Sequence, residues 1–211
     1  MKTRTLLLTS AGMEVKEEIL KILPKAPGKI KLAHIITAAK AEKYIEYLDE
    51  DRQKMIDLGI GVENIDIAGK NEDEVRELLK DKDVIYVQGG NTFFLLKYVR
   101  ESGFDKVVKE LVGKGAIYIG VSAGSILAGP TIETTGWKNL DRNIVGLTDL
   151  TALNFVPFLI FPHYKPRYRA LLEKEAPRAK YPVRILTDKQ AFFVKDDETK
   201  LVGKGKEIKI L

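Results

Sequence analysis

Along the first two-thirds of the chain, short apolar runs alternate with stretches in which apolar residues return every three or four positions. The runs at 5–9, 30–36, 64–67, 84–87 and 116–119 are short enough for strands, and most are apolar throughout, as buried parallel strands are. Between them, 14–23 sets Val15, Ile19, Leu20 and Leu23 at helical spacing, and 41–58 does the same with Tyr44, Ile45, Leu48, Met55 and Ile56. Such alternation predicts an α/β fold, a mostly parallel sheet flanked by helices on both faces.

Local signals place further elements. Asn71-Glu72-Asp73-Glu74 has the form of a capping box and predicts a helix from about Glu72. Thr92 is placed to cap a helix carrying Phe93, Leu96 and Val99, with Gly103 ending it before an amphipathic stretch at 104–111. Glycines and Pro130 break the pattern between 130 and 154, which reads mostly as loop. A strand at 157–161 and a helix from Pro166 to Ala176 follow. Short C-terminal strands are expected at 183–187, 191–194, 200–202 and 207–211. One domain over 1–211 accommodates all of this.

Composition narrows the chemistry. The chain has no cysteine, which removes disulfides, thiolate metal sites and a cysteine nucleophile. The net charge of +5 comes from lysines and arginines interleaved with acids, which leaves no basic stripe for nucleic acid. The apolar run at 5–9 is too short for a secretory leader or a membrane span, so a cytoplasmic location without membrane contact is expected. Two distant histidines suit neither a catalytic metal nor any cofactor motif, and none is expected. A homodimer remains open.

Gly120-Val121-Ser122-Ala123-Gly124 fits the nucleophile-elbow pattern, with an apolar strand before it and Ser125-Ile126-Leu127-Ala128 able to continue as a helix. A tight turn of this kind exposes the serine hydroxyl, and the free N–H groups of the helix start can hold a developing oxyanion. A structural Gly/Ser turn is the competing explanation. Gln88-Gly89-Gly90-Asn91 ends the strand at 84–87, where ligands of open α/β sheets collect; Gly90 and Ala123 are the candidate oxyanion donors and Asn91 a candidate substrate contact. Of the two histidines, His34 sits inside an apolar run and suits a structural role, whereas His163 directly follows a strand and is the preferred base. Asp188 is the candidate orienting acid, with Asp141 and Asp149 as rivals. Lys165, Arg167 and Arg169 can pair with a substrate carboxylate or lie on a solvated helix face.

Taken together, Gln88-Gly89-Gly90-Asn91-Thr92-Phe93, Tyr118-Ile119-Gly120-Val121-Ser122-Ala123-Gly124, the Thr134-Thr135 pair and Pro162-His163-Tyr164 occur in an order that resembles the dipeptidase E and cyanophycinase family of serine peptidases. The resemblance implies a flavodoxin-like or class I glutamine amidotransferase-like three-layer sandwich, with serine in place of cysteine. It implies Ser122 as nucleophile, His163 as base and acid, Gly90 and Ala123 as oxyanion donors, and an acid at Asp188, where the family usually has Glu. Gly136-Trp137 replaces the Asn-Asp that the dipeptidases tend to carry after the paired threonines, Gln88 replaces the first glycine of the donor loop, and 163–169 is shorter than in the Asp-specific members. The expected activity is hydrolysis of short peptides through an acyl-enzyme, with acidic N-terminal residues as a candidate preference. An esterase or amidase with the same triad, and a catalytically silent binding protein, are the alternatives.

Overall fold

A computed structural model describes residues 3–138 and 141–210. Seven strands form the main sheet: β1 (Thr5–Thr9), β2 (Lys31–Ile35), β3 (Gly61–Ile65), β4 (Val84–Val87), β5 (Ile117–Val121), β8 (Gln190–Lys195) and β9 (Glu198–Gly203), in the order β3-β2-β4-β5-β1-β8-β9. The first five run parallel, while β8 and β9 are antiparallel to their neighbours. The central strands β4, β5 and β1 are almost wholly buried, which is why their sequences carry no polar alternation. Two core clusters lie on opposite faces of the sheet. One contains Leu6, Leu8 and Tyr118, the other Leu7, Tyr86 and Ile119.

Helices α1 (Lys16–Ile22), α2 (Glu46–Asp57), α3 (Glu72–Leu79), α4 (Thr92–Glu101) and α5 (Phe104–Gly113) link these strands. After β5 come α6 (Ala123–Leu127), α7 (Thr134–Trp137) and α8 (Arg169–Glu175). The capping box at Asn71 is complete, its Oδ1 accepting from Glu74 N at 3.0 Å and the Glu74 carboxylate from Asn71 N at 2.8 Å. β6 (Leu159–Phe161) and β7 (Val183–Ile185) form a separate two-stranded parallel sheet.

Three sequence expectations shift. The strand expected at 64–67 lies earlier, at β3, an exposed edge whose polar residues Glu63 and Asn64 mask the pattern; Asp66 beyond it accepts from the Thr37 hydroxyl and Ala68 N instead of continuing the strand. The helix expected over 41–58 begins at Glu46, so Tyr44 and Ile45 precede it and are 69% and 45% exposed. Its buried face holds Leu48, Asp51 and Met55, with Asp51 accepting from Tyr86 Oη and Gln88 Nε2. Of the strand expected at 207–211, an isolated bridge between Ile208 and Ile185 is present, and Leu211 lies outside the described residues.

Candidate active site

Parallel register brings three loops to one edge of the sheet. Thr9 pairs with Val121 across β1 and β5, and Val87 with Gly120 across β4 and β5, so Ser10, Ser122 and Gln88–Gly90 leave the sheet side by side. β8 runs the other way, with Ala191 opposite Thr9, and the residues just before it therefore reach the same edge. β6 and β7 do likewise, Phe161 opposite Ile185, so His163 and Asp188 each follow a strand by a few residues and meet. Tyr164 N donating to Leu186 O at 2.9 Å holds the two segments together.

Ser122 occupies φ 47°, ψ −104°, a conformation that costs an L-residue of order 1–3 kcal/mol. The neighbouring glycines make this turn possible by close approach. A Cβ on Gly124 would stand 2.1 Å from Val87 O, and one on Gly120 2.7 Å from Gly124 C. Hydroxyls brace the turn: Ser125 Oγ lies 2.7 Å from Thr9 O and 2.8 Å from Gly120 O, its single proton available to either carbonyl, and Tyr118 Oη donates to Gly124 O at 2.7 Å.

From Ser122 a row of hydrogen bonds runs outward. Ser122 Oγ lies 3.0 Å from His163 Nε2, and His163 Nδ1 lies 2.6 Å from Asp188 Oδ1. A carboxylate only accepts, so it fixes the imidazole proton on Nδ1 and turns the Nε2 lone pair toward the serine hydroxyl. Burial raises the Asp188 pKa, but hydrogen bonds from Lys165 and His163 outweigh it and hold the carboxyl below its ordinary value. Lys165 Nζ reaches Asp188 Oδ2 at 2.8 Å. Ser10, fully buried at the end of β1, completes the brace: its Oγ donates to Asp188 Oδ1 at 3.1 Å and accepts from His163 N at 2.7 Å. This row can take a proton from a serine hydroxyl, hold it on a stabilised imidazolium and return it.

Two backbone N–H groups lie near Ser122. Ala123 N–H opens α6 and has no partner within it, and Gly90 N–H has no acceptor among the described residues. Gly90 has φ 134°, and a Cβ there would stand 2.4 Å from Ala38 C and O, so glycine alone fits. Gly89 packs against Ser122, its would-be Cβ 3.2 Å from Ser122 Cβ.

The chain matches the model of peptidase family S51 over residues 6–202. It belongs to that family. Among the S51-like relatives, an uncharacterized peptidase of Listeria monocytogenes is 31% identical over 198 residues, covering 92% of this chain and 96% of that protein. A peptidase E of Salmonella arizonae is 35% identical over 164 residues, covering 75% of this chain and 68% of that one. In structure, a candidate peptidase E protein from Listeria monocytogenes EGD-e superposes with a TM-score of 0.85 at 30% identity, over 97% of this chain and 100% of that one. The S51 member described here is thus a peptidase with an α/β fold of the peptidase E kind.

Several expected residues lie elsewhere. Asn91 caps α4, its Oδ1 accepting from Phe94 N at 2.9 Å while Nδ2 donates to Arg142 O at 2.9 Å, so its amide is committed to structure. The cap is therefore Asn91 and not Thr92, whose N–H and hydroxyl go to Asp141 at 2.8 and 2.7 Å. Asn91→Ala should cost about 1 kcal/mol, read as a lower urea midpoint. Arg167 and Arg169 do not line the cleft. Arg167, in the short 3₁₀ turn at Pro166–Tyr168, and Arg169, at the start of α8, are both exposed; Arg167 bonds Tyr168 Oη and Arg169 pairs with Glu173 one turn on. Asp149 lies away from the row and pairs with Arg100. His34 is fully buried on β2, hydrogen-bonded to Asn64, and burial holds its pKa down to about 4.

Sequence reasoning passes over Ser10, Tyr47, Glu42 and Lys138. A cleft of about 390 Å³ opens beside Ser122, floored by Gly89 and Gly90 and walled by Glu42, Tyr47, Glu50 and Asp141. Burial and the nearby Glu42 and Asp141 carboxylates push the Tyr47 hydroxyl up to about 12. Adjoining it at Ser122, His163 and Asp141, a smaller cavity of about 80 Å³ is also lined by Thr135 and Lys138. Among the described residues, no group of three or more His, Cys, Asp or Glu could hold a metal ion, and no helix is long and apolar enough to cross a membrane.

Proposed function

We propose that the chain hydrolyses short peptides through an acyl-enzyme on Ser122, with His163 as general base and then acid, Asp188 as its orienting acid, and Gly90 and Ala123 N–H as the oxyanion hole. The observation that supports this most strongly is the Ser122–His163–Asp188 row at a strained strand-to-helix turn. Ser122 Oγ attacks the peptide carbonyl while its proton passes to His163 Nε2, and the carbonyl oxygen becomes an oxyanion held by the two backbone donors. Collapse breaks the C–N bond, and His163 gives its proton to the departing amine. Water then attacks the ester, leaving its proton on His163, and the same proton returns to Ser122 Oγ as the acid leaves.

Both donors are backbone groups on rigid turns, so they need no reorganisation as charge develops. The braces from Ser10 and Lys165 keep Asp188 ionised and aimed, which holds the imidazole in the tautomer that accepts from serine. A fluorophosphonate should label Ser122 stoichiometrically, read as a mass increment on the peptide containing Ser122, and the labelled protein should lose all activity on a dipeptide panel. Labelling at another residue, or full dipeptide turnover after labelling, would sink the proposal.

A further inference from the structure

Two pockets meet at Ser122 and share His163 and Asp141 in their linings, and the charged side chains around them, several carboxylates and Lys138, are not used by the acyl-transfer machinery. On one side, Glu42, Glu50 and Asp141 line the large cleft, and none of the three has a salt-bridge partner among the described residues. Lys54, the cation of that wall, is already shared with Glu14 at 3.6 Å. Burial raises the Glu42 pKa, with the Asp141 charge adding to it, as for carboxylates crowded together without a cation. On the other side, half-buried Lys138 lines the small cavity with Ser122 and His163, its ammonium donating to Pro162 O and lying 4.1 Å from the Phe161 ring centroid. Asp141 borders this cavity too, with Oδ2 held by the Thr92 N–H and hydroxyl. Burial brings the Lys138 pKa down to about 8, against the opposing pull of Asp141 and Asp188.

We infer that these pockets grip the two ends of a short zwitterionic peptide, the free α-ammonium in the carboxylate-lined cleft and the free α-carboxylate on Lys138. This rests on the peptidase reading of Ser122 and adds what selects the substrate. The direction follows from the chemistry. The acyl half lies over Gly89 and Gly90, which floor the acidic cleft. His163, which protonates the leaving half, borders both pockets, and the small one adds the ammonium of Lys138, seated on Pro162 O. An extended residue spans at most about 3.6 Å, so one residue on each side of the scissile bond puts both charged ends close to Ser122. The two ends then work as a length gauge that favours dipeptides over longer peptides. An acidic first side chain would meet the carboxylates of the cleft, so neutral and basic first residues are favoured, the reverse of a preference for acidic ones.

The experiment compares kcat/KM for a neutral dipeptide, its C-terminal amide and its N-acetyl form, with each enzyme normalised by fluorophosphonate titration of Ser122. In the parent, the free dipeptide should exceed both blocked forms by about tenfold or more. Lys138→Met should collapse the acid-to-amide ratio toward one, with Lys138→Arg keeping part of it, and Glu42→Gln should lower the ratio of free to acetylated substrate. A parent that labels at Ser122 yet does not distinguish the blocked forms overturns the inference, as do unchanged ratios in variants that label normally. If Ser122 does not label in the parent, the peptidase reading fails instead. Should Lys138→Met not fold, Lys138→Gln tests the same ratio. A merely structural lysine would change both substrates alike and leave the ratio where it was.

Discussion

Ser122→Ala should reduce kcat on any dipeptide substrate by about 10⁴ to 10⁶-fold while leaving the fold intact, because removing the nucleophile of a triad costs nearly as much as removing the whole row. The variant retains the Gly90 and Ala123 donors, so weak substrate binding should persist, measurable by calorimetry with an uncleaved dipeptide. Stability gives an independent reading of the same turn. At φ 47°, ψ −104° alanine is as strained as serine, whereas glycine is not. Relief of roughly 1–3 kcal/mol, less about 0.5–1 kcal/mol of extra chain entropy in the unfolded state, leaves glycine ahead of alanine by about 1 kcal/mol. For a chain of 211 residues that is a Tm about 2–4 °C higher for Ser122→Gly than for Ser122→Ala. A Tm for the glycine variant equal to or below that of the alanine variant would show that no strain is stored at the elbow.

The legibility of this site in the sequence tracks how local each device is. The elbow is five consecutive residues, and the steric demands at Gly120 and Gly124 are met within the same strand and helix or by the adjacent strand, so the pattern carries its own geometry. His163 is legible by elimination, since the other histidine stands in an apolar run that proves to be β2. Asp188 can only be nominated. Its place beside His163 depends on the parallel pairing of β6 with β7 and on the antiparallel register of β8, neither of which is written in nearby residues. Ser10 is invisible for the same reason, because its contacts with Asp188 and His163 close loops of 178 and 153 residues. Asn91 carries two meanings at sequence level, a polar residue at a strand end and a helix cap. The cap wins because α4 leaves its first N–H groups unpaired. Of the two roles the sequence leaves open for Arg167 and Arg169, the structure shows the solvated face, with Arg167 in a 3₁₀ turn and Arg169 opening α8.

Asp188→Asn should lower kcat by about 10³ to 10⁴-fold at neutral pH with little change in structure, and the cause lies in which way the amide points. Lys165 Nζ, 2.8 Å from Asp188 Oδ2, is a donor only and will claim the amide oxygen. That leaves the amide NH₂ facing His163 Nδ1, where the carboxylate now sits at 2.6 Å. An NH₂ there donates to Nδ1, which moves the imidazole proton to Nε2, 3.0 Å from Ser122 Oγ. An Nε2–H cannot accept the serine proton, so the base is present but in the wrong tautomer. Adding Lys165→Met to Asp188→Asn frees the amide to flip and present its oxygen to Nδ1. The double variant should therefore recover about tenfold over Asp188→Asn alone, whereas Lys165→Met in the parent should lose activity, because it removes a hydrogen bond that keeps Asp188 ionised. The sign of that second effect also fixes a pH dependence. The folded-state carboxyl of Asp188 titrates below its ordinary value, so its contribution to stability is present above that value and is lost as the pH falls through the folded pKa. Without Lys165, the loss should begin at higher pH, measurable as an acid limb of unfolding displaced upward relative to the parent. Equal acid limbs, or a double variant no faster than Asp188→Asn, would mean that Lys165 governs neither the charge nor the orientation at Asp188.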